Sequence, residues 1–361
     1  MSRRVNVSLG ERSYSIEIGA GLLRSLGACC RKLGLGSACL LVSDSNVFAL
    51  YGDRARRSLK KAGFAVSTAV VPAGETSKSP AQLSALYGAA LDAGLDRSSF
   101  IVALGGGVVG DLAGYLAATF LRGIRLVQVP TSLLAMVDSA VGGKTGINLP
   151  QGKNLVGAFH QPVLVLADTR TLKTLPRREY VSGLAEVVKY GVIRDAKFLQ
   201  SLEKHAAGLA RSRPAALEPV IAKCCGIKAD VVRLDEREAG LRAILNFGHT
   251  MGHAIEKVSG YGRYLHGEAV AMGMVFAGLL SVKAAGFRED EFARLVSLLR
   301  RLGLPVHAPR VAFSRLGKAM SVDKKGAQRK PRFVLARRIG RVMTGCDIQA
   351  GVLRSAWERW A

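Results

Sequence analysis

Between residues 38 and 168, short β-branched and apolar runs alternate with segments of helical period, and that alternation limits the fold more than any other feature. Residues 38–43, 65–71, 100–104, 126–130 and 163–168 read as strands. A stretch ending at residue 62, residues 82–93 and residues 112–120 read as helices between them. Consecutive strands separated by helices cannot pair as hairpins, so they run parallel and carry the helices on the faces of the sheet. After Pro176 strand-like runs become scarce, and helix-period segments follow one another to about residue 301. The expectation is an α/β domain over residues 1–175 followed by a mainly α-helical domain over residues 176–361, each long enough to bury its own core.

Composition narrows the class. Hydrophobic residues make up 49% and charged residues 22%, a globular balance without long disordered segments. Residues 1–18 alternate polar and apolar and lack the continuous apolar stretch of an export signal. The longest apolar run, residues 269–282, falls short of the roughly 20 residues that span a bilayer and reads as a buried helix. Cys29, Cys30, Cys39, Cys224, Cys225 and Cys346 have no C-x-x-C spacing, so reduced and mostly buried thiols in a cytoplasmic protein are expected. The net charge is +25, from 52 Lys and Arg against 27 Asp and Glu. Such a field attracts polyanions, but the basic residues are dispersed and not gathered in a tail, so nucleic-acid binding is not expected as the function.

The run at residues 100–104 passes directly into Gly105-Gly106-Gly107-Val108-Val109-Gly110-Asp111 and then into a helical stretch. A strand, a glycine turn and a helix N-terminus expose backbone amides at the positive end of the helix dipole, an arrangement suited to a pyrophosphate. Asp44, Ser45 and Asn46 follow the first strand; Gly74, Glu75 and Lys78 the second; Thr131 and Ser132 the one ending at Pro130. Open parallel sheets bind ligands at such carboxyl ends.

Arg242, Asn246, His249, His253 and Glu256 step by four, three, four and three residues, so on one continuous helix they share a face. His266 lies nearby in the sequence, and Glu186 is followed one turn later by Lys189. Two imidazoles and one carboxylate with open positions make a zinc-type catalytic site, although spacing leaves open which two histidines bind. Lys144, flanked by glycines in Gly142-Gly143-Lys144-Thr145-Gly146, and Lys153, beside Asn154, are placed to meet an anion, and Lys189 and Lys228 add to the lysines.

Taken together, these segments resemble the 3-dehydroquinate synthase family of sugar phosphate cyclases nearly end to end. The resemblance rests on Pro72-x-Gly74-Glu75-x-x-Lys78, the Gly105–Gly114 run, Arg122-Gly123, residues 129–139, Gly142-Gly143-Lys144-Thr145-Gly146 and Gly152-Lys153-Asn154. It rests further on Asn246-Phe247-Gly248-His249-Thr250-x-Gly252-His253-Ala254-x-Glu256 and Leu265-His266-Gly267-Glu268. It implies a Rossmann-like N-terminal domain and a helical C-terminal one.

The resemblance also implies a metal, zinc or cobalt, on Glu186, His249 and His266, with His253 left to act on substrate. NAD contacts would come from Asp44, Asn46, Glu75, Lys78, Gly106, Gly107, Val108, Asp111, Thr131, Ser132, Lys153 and Thr174. Substrate contacts would come from Asp138, Lys144, Asn154, Lys189, Lys228, Arg242, Asn246 and His253, with one of Lys324 and Lys325 on the phosphate. Arg122 would reach the phosphate of a neighbouring subunit, which implies a homodimer. The implied reaction turns 3-deoxy-D-arabino-heptulosonate 7-phosphate into 3-dehydroquinate and phosphate, in aromatic amino acid biosynthesis. Valiolone- and inosose-type cyclases and metal-dependent polyol dehydrogenases are the alternatives. Arg242 favours the first reading, because a guanidinium holds a carboxylate in a bidentate pair and the rival sugars have none.

Overall fold

The computed structural model describes residues 2–211, 214–260, 262–322 and 331–361. The chain divides into two compact units: Met1–Leu175 with Leu217–Arg233, and Pro176–Ala216 with Leu234–Ala361.

In the first unit, β1 (Arg3–Val7), β2 (Tyr14–Gly19), β3 (Ala38–Asp44), β4 (Ala65–Val71), β5 (Phe100–Gly105), β6 (Arg125–Pro130) and β9 (Leu164–Asp168) form one sheet in the order β1-β2-β9-β6-β5-β3-β4. The β1–β2 pair is antiparallel and every other pairing is parallel. A separate antiparallel hairpin joins β7 (Lys144–Leu149) to β8 (Gly152–Phe159).

Side chains alternate across the sheet with period two. Leu40, Val42, Ile101 and Ala103 share a core with Leu83 and Leu86 of helix Pro80–Asp92 and with Leu112 and Leu116 of helix Gly107–Thr119. Cys39, Leu41, Phe100, Val102 and Leu104 share the other core with Leu26, Cys30 and Leu59. Because both faces are covered, the central strands read as continuous apolar runs in the sequence. From β3 the chain moves outward to β4, then returns past β3 to β5. That reversal places the carboxyl ends of β3 and β5 at the topological switch point, where doubly wound sheets take ligands.

The segment Leu217–Arg233 belongs to this unit although it lies beyond Pro176. The Cys225 thiol donates to the Met136 carbonyl at 3.3 Å, the Lys228 ammonium donates to the Asp138 carbonyl at 2.6 Å, and the Thr169 hydroxyl donates to Glu218 at 3.3 Å.

The second unit is built around helix His266–Ala284, nearly every residue of which is buried from Gly267 to Ser281. By length and composition this helix could cross a membrane, but 78% of its apolar window is buried inside the structure. Phe276 packs against Phe333 and Trp360 at ring distances of 6.3 and 5.6 Å. A side chain at Gly267 would stand 1.8 Å from the Ser182 carbonyl oxygen of helix Arg177–Arg194, and one at Gly273 would stand 1.9 Å from the Gly248 carbonyl oxygen. These glycines let three backbones approach closely. The unit also holds a hairpin that the sequence reading did not anticipate, β10 (Arg332–Arg338) with β11 (Arg341–Asp347). All six cysteines are free; four are buried and Cys29 and Cys346 are half-buried.

Candidate active site

Helix Gly107–Thr119 starts inside the glycine run, earlier than its apolar residues suggest, with Gly106 as its N-cap and no side chain capping it. Its first amides have no acceptor within the helix, so they face the crevice at the end of β5 ready for an anion. Gly106, Gly107 and Val108 are half-buried there, and Thr131, at the end of β6, donates its backbone N–H to the Gly105 carbonyl at 2.9 Å. Ser132 is half-buried beside it. At the end of β3, Asp44 caps the next turn by accepting from the Asn46 and Val47 amides at 3.0 Å, which leaves Asn46 exposed.

The Glu75–Lys78 turn after β4 meets the β7–β8 hairpin. The buried Lys78 ammonium donates to both the Asp111 carboxylate and the Asn154 side-chain oxygen. Burial, offset in part by Lys78, pushes the Asp111 carboxyl above its ordinary range. The Lys153 ammonium is 3.9 Å from Glu75. Asn154 adopts a left-handed backbone with φ of 55°, and Lys144 is exposed at the start of β7. Lys228 is buried and paired with Asp138. Thr174 is held by the Tyr51 hydroxyl at 2.6 Å. Arg122 is exposed on a turn where Leu121 and Arg122 have φ of 50° and 69°.

In the second unit, Glu186 is fully buried on helix Arg177–Arg194, with the Lys189 ammonium against its Oε2. Its Oε1 has no hydrogen-bond partner and faces the Nε2 atoms of His249 at 3.6 Å and His266 at 3.7 Å. A buried carboxylate oxygen turned toward two imidazole nitrogens is unfavourable unless something positive joins them. A tetrahedral zinc with ligands near 2.0–2.1 Å holds its ligand atoms about 3.4 Å apart. The three atoms therefore fit a divalent cation with little rearrangement. Burial, reinforced by Lys189, holds the His249 imidazole well below its usual pKa, in the neutral form that ligates.

Each histidine is also oriented from behind. His249 Nδ1 is 3.2 Å from the Phe247 carbonyl, and His266 Nδ1 is 3.4 Å from Glu256 Oε2. Both contacts place the proton on Nδ1 and turn Nε2 toward Glu186. His253 is exposed, with its ring 5.4 Å from that of His249. A second set of donor atoms, from His253, Glu256 and His266, also lies close enough for a cation, but it shares His266 with the first and lacks a fully buried carboxylate.

The residues from Arg242 to Glu256 do not form the single helix that their spacing suggests. Leu241–Asn246 is a 3-10 segment, Gly248 takes φ of 82°, and the α-helix begins only at His249. A left-handed glycine ends one helix and starts another, which turns Arg242 and Asn246 off the histidine face. Arg242 is buried, and donates its Nη1 to the Glu236 carbonyl and its backbone N–H to Asp235 Oδ2 at 2.9 Å; Asn246 donates to Glu238 at 2.8 Å. Lys324 and Lys325 lie outside the described residues. Sequence reasoning placed Glu256 in the polar row without a task. Its spacing of three from His253 was the available signal, whereas the Phe247 carbonyl left none.

Residues 68–182 match the family described as 3-dehydroquinate synthase N-terminal, and residues 183–326 the family described as 3-dehydroquinate synthase C-terminal. The 3-dehydroquinate synthase of Symbiobacterium thermophilum is 52% identical over 355 residues, covering 98% of this chain and 99% of that one. Among solved structures, 2-deoxy-scyllo-inosose synthase complexed with carbaglucose-6-phosphate, NAD+ and Co2+ aligns with a TM-score of 0.91 and 27% identity, over 99% of this chain and 100% of that one. The 2-epi-5-epi-valiolone synthase of Streptomyces hygroscopicus subsp. jinggangensis, with NAD+ and Zn2+ bound, aligns with a TM-score of 0.88 and 28% identity over 98% of each chain.

Proposed function

The chain belongs to the 3-dehydroquinate synthase family, and we propose that it converts 3-deoxy-D-arabino-heptulosonate 7-phosphate into 3-dehydroquinate and phosphate. The observation that carries this reading is the gap in likeness: about twice the identity toward a dehydroquinate synthase as toward the valiolone and inosose cyclases.

When bound, NAD supplies a hydride acceptor that is restored within the turnover, and zinc or cobalt on Glu186, His249 and His266 supplies a Lewis acid for the substrate hydroxyls. The residues of the chain do the rest. The amides at Gly106, Gly107 and Val108 hold the pyrophosphate, and Lys78 and Asp111 fix the position of that turn. Arg242 pairs with the substrate carboxylate, while Asn246 and the lysines Lys144, Lys189 and Lys228 bind its hydroxyl and phosphate oxygens. Asp138 keeps the Lys228 ammonium in place, and Asn154 contributes a further polar contact. His253 takes the proton from the C5 hydroxyl as it is oxidised; its exposed ring beside the histidine cluster supports that role.

A homodimer is the assembly that fits Arg122. A strained turn that holds an exposed guanidinium outward supports contact with a second copy's phosphate. Free thiols, NAD use and a phosphorylated substrate support a cytoplasmic enzyme.

A trace of NAD tests the reaction. It should support many turnovers, with one phosphate released per substrate, no accumulating NADH absorbance, and deuterium at C5 retained in the product. Stoichiometric NADH, or loss of that deuterium to solvent, would reject the cyclase reading and favour a polyol dehydrogenase.

A further inference from the structure

Asn148 stands near the end of β7, where the ladder pairing shifts between Ile147 with Val156 and Leu149 with Gly152. That irregularity lets one half-buried amide reach two loops. Its Oδ1 accepts from the Asn154 backbone N–H at 2.9 Å, and its Nδ2 donates to Glu75 Oε1 at 2.7 Å. Its own backbone N–H donates to the Lys78 carbonyl at 2.8 Å. Lys78 in turn donates to the Asn154 side chain and to Asp111. Asn154 is thus held in a left-handed conformation from both ends, at its amide by Asn148 and at its side chain by Lys78. Making one bond as donor and one as acceptor needs a carboxamide; a carboxylate of the same shape has no donor.

We propose that Asn148 is a positioning residue that couples dinucleotide and substrate binding within the first unit. The inference rests on the reading of Glu75 as a dinucleotide contact and Asn154 as a substrate contact. A ligand that fixes Glu75 fixes the Asn148 amide, and through it the backbone of Asn154. By linkage, a ligand that fixes Asn154 tightens dinucleotide binding by the same factor.

The test measures NAD binding by calorimetry on the metal-loaded protein, with and without a phosphonate analogue of the substrate whose C–P bond blocks elimination. In the unaltered protein the analogue should tighten NAD binding about fivefold or more, as coupled sites do. Asn148→Ala removes both bonds, and Asn148→Asp keeps the acceptor toward Asn154 but sets a carboxylate against Glu75. Each should cut that enhancement at least about threefold and raise the substrate KM more than it lowers kcat, with the melting temperature within about 2 °C. Glu75→Gln combined with Asn148→Asp rebuilds the bond with donor and acceptor exchanged, and should recover the enhancement relative to Asn148→Asp alone. An undiminished enhancement in both single variants overturns the coupling role. If Asn148→Ala melts early, the Asp variant and its rescue decide. Failure of the unaltered protein to bind NAD overturns the function reading itself, and this inference with it.

Discussion

Glu256→Gln changes one charge and almost no volume, so it isolates what the carboxylate does for His266. The carboxylate lies 3.4 Å from His266 Nδ1, its side chain is 9% exposed, and His266 is 30% exposed. Loss of such an outer-shell acceptor lowers metal affinity by roughly 10–100-fold in metalloenzymes. Two features favour the lower end. A contact of 3.4 Å is long for a hydrogen bond, and the Gln carbonyl still offers a neutral acceptor to the same N–H. The expected loss is therefore about tenfold, or about 1.4 kcal/mol at one decade per 1.36 kcal/mol. Zinc competition against a chromophoric chelator near neutral pH reads it directly, while the melting temperature of the metal-free variant reports any general damage. Unchanged zinc affinity, within about twofold, in a variant that melts normally would refute the argument that Glu256 orients this ligand.

Chelation should abolish activity and zinc or cobalt restore it; His266→Ala should lose metal, whereas His253→Ala should keep it and turn over slowly, and equal metal loss in both would show that the ligand set is misassigned. Arg242→Ala should cost roughly 2–5 kcal/mol in kcat/KM with NAD affinity barely changed; equal loss of NAD and substrate would make Arg242 a structural cation. Asp96 accepts from the amides and hydroxyls of Ser98 and Ser99 at 2.7–2.9 Å, and the Ser98 and Ser99 hydroxyls lead in holding its carboxyl down to about 2. The folded value lies below the unfolded one near 3.9, so this stability is present above about pH 4 and lost as pH falls toward 2. The difference in urea midpoint between the unaltered protein and Asp96→Ala should shrink over that window, and a constant difference would show that the charge is not the cause.

The central strands and the glycine turn were legible in the sequence because their causes are local. A strand buried on both faces needs a continuous apolar run, and a ligand approaching a backbone needs glycine, so residues 38–43 and 100–104 were recognisable and Gly105, Gly106 and Gly107 identified the crevice, whereas the mostly exposed edge strand at residues 65–71 was legible from its β-branched residues. The helical texture beyond Pro176 was legible for the same reason. Spacing failed where a single left-handed residue intervened: Gly248 splits the row from Arg242 to Glu256, and only its dihedral reveals the split.

By itself the sequence determined the strands and helices of the parallel sheet, the helical texture beyond Pro176, the polar residues at the strand ends and the family to which they belong. Tertiary structure alone decided which of these residues meet. Leu217–Arg233 joins the first unit because Cys225 and Lys228 bond to Met136 and Asp138, contacts no periodicity encodes. Asn148 reaches Glu75 across 73 positions of chain, through a shift in ladder pairing. Glu186, His249 and His266 converge because Gly267 and Gly273 let helix His266–Ala284 lie against its neighbours with no side chain between them. Local pattern is set by neighbours a few bonds away, whereas a metal-ligating triangle is set by how closely separate backbones can pack.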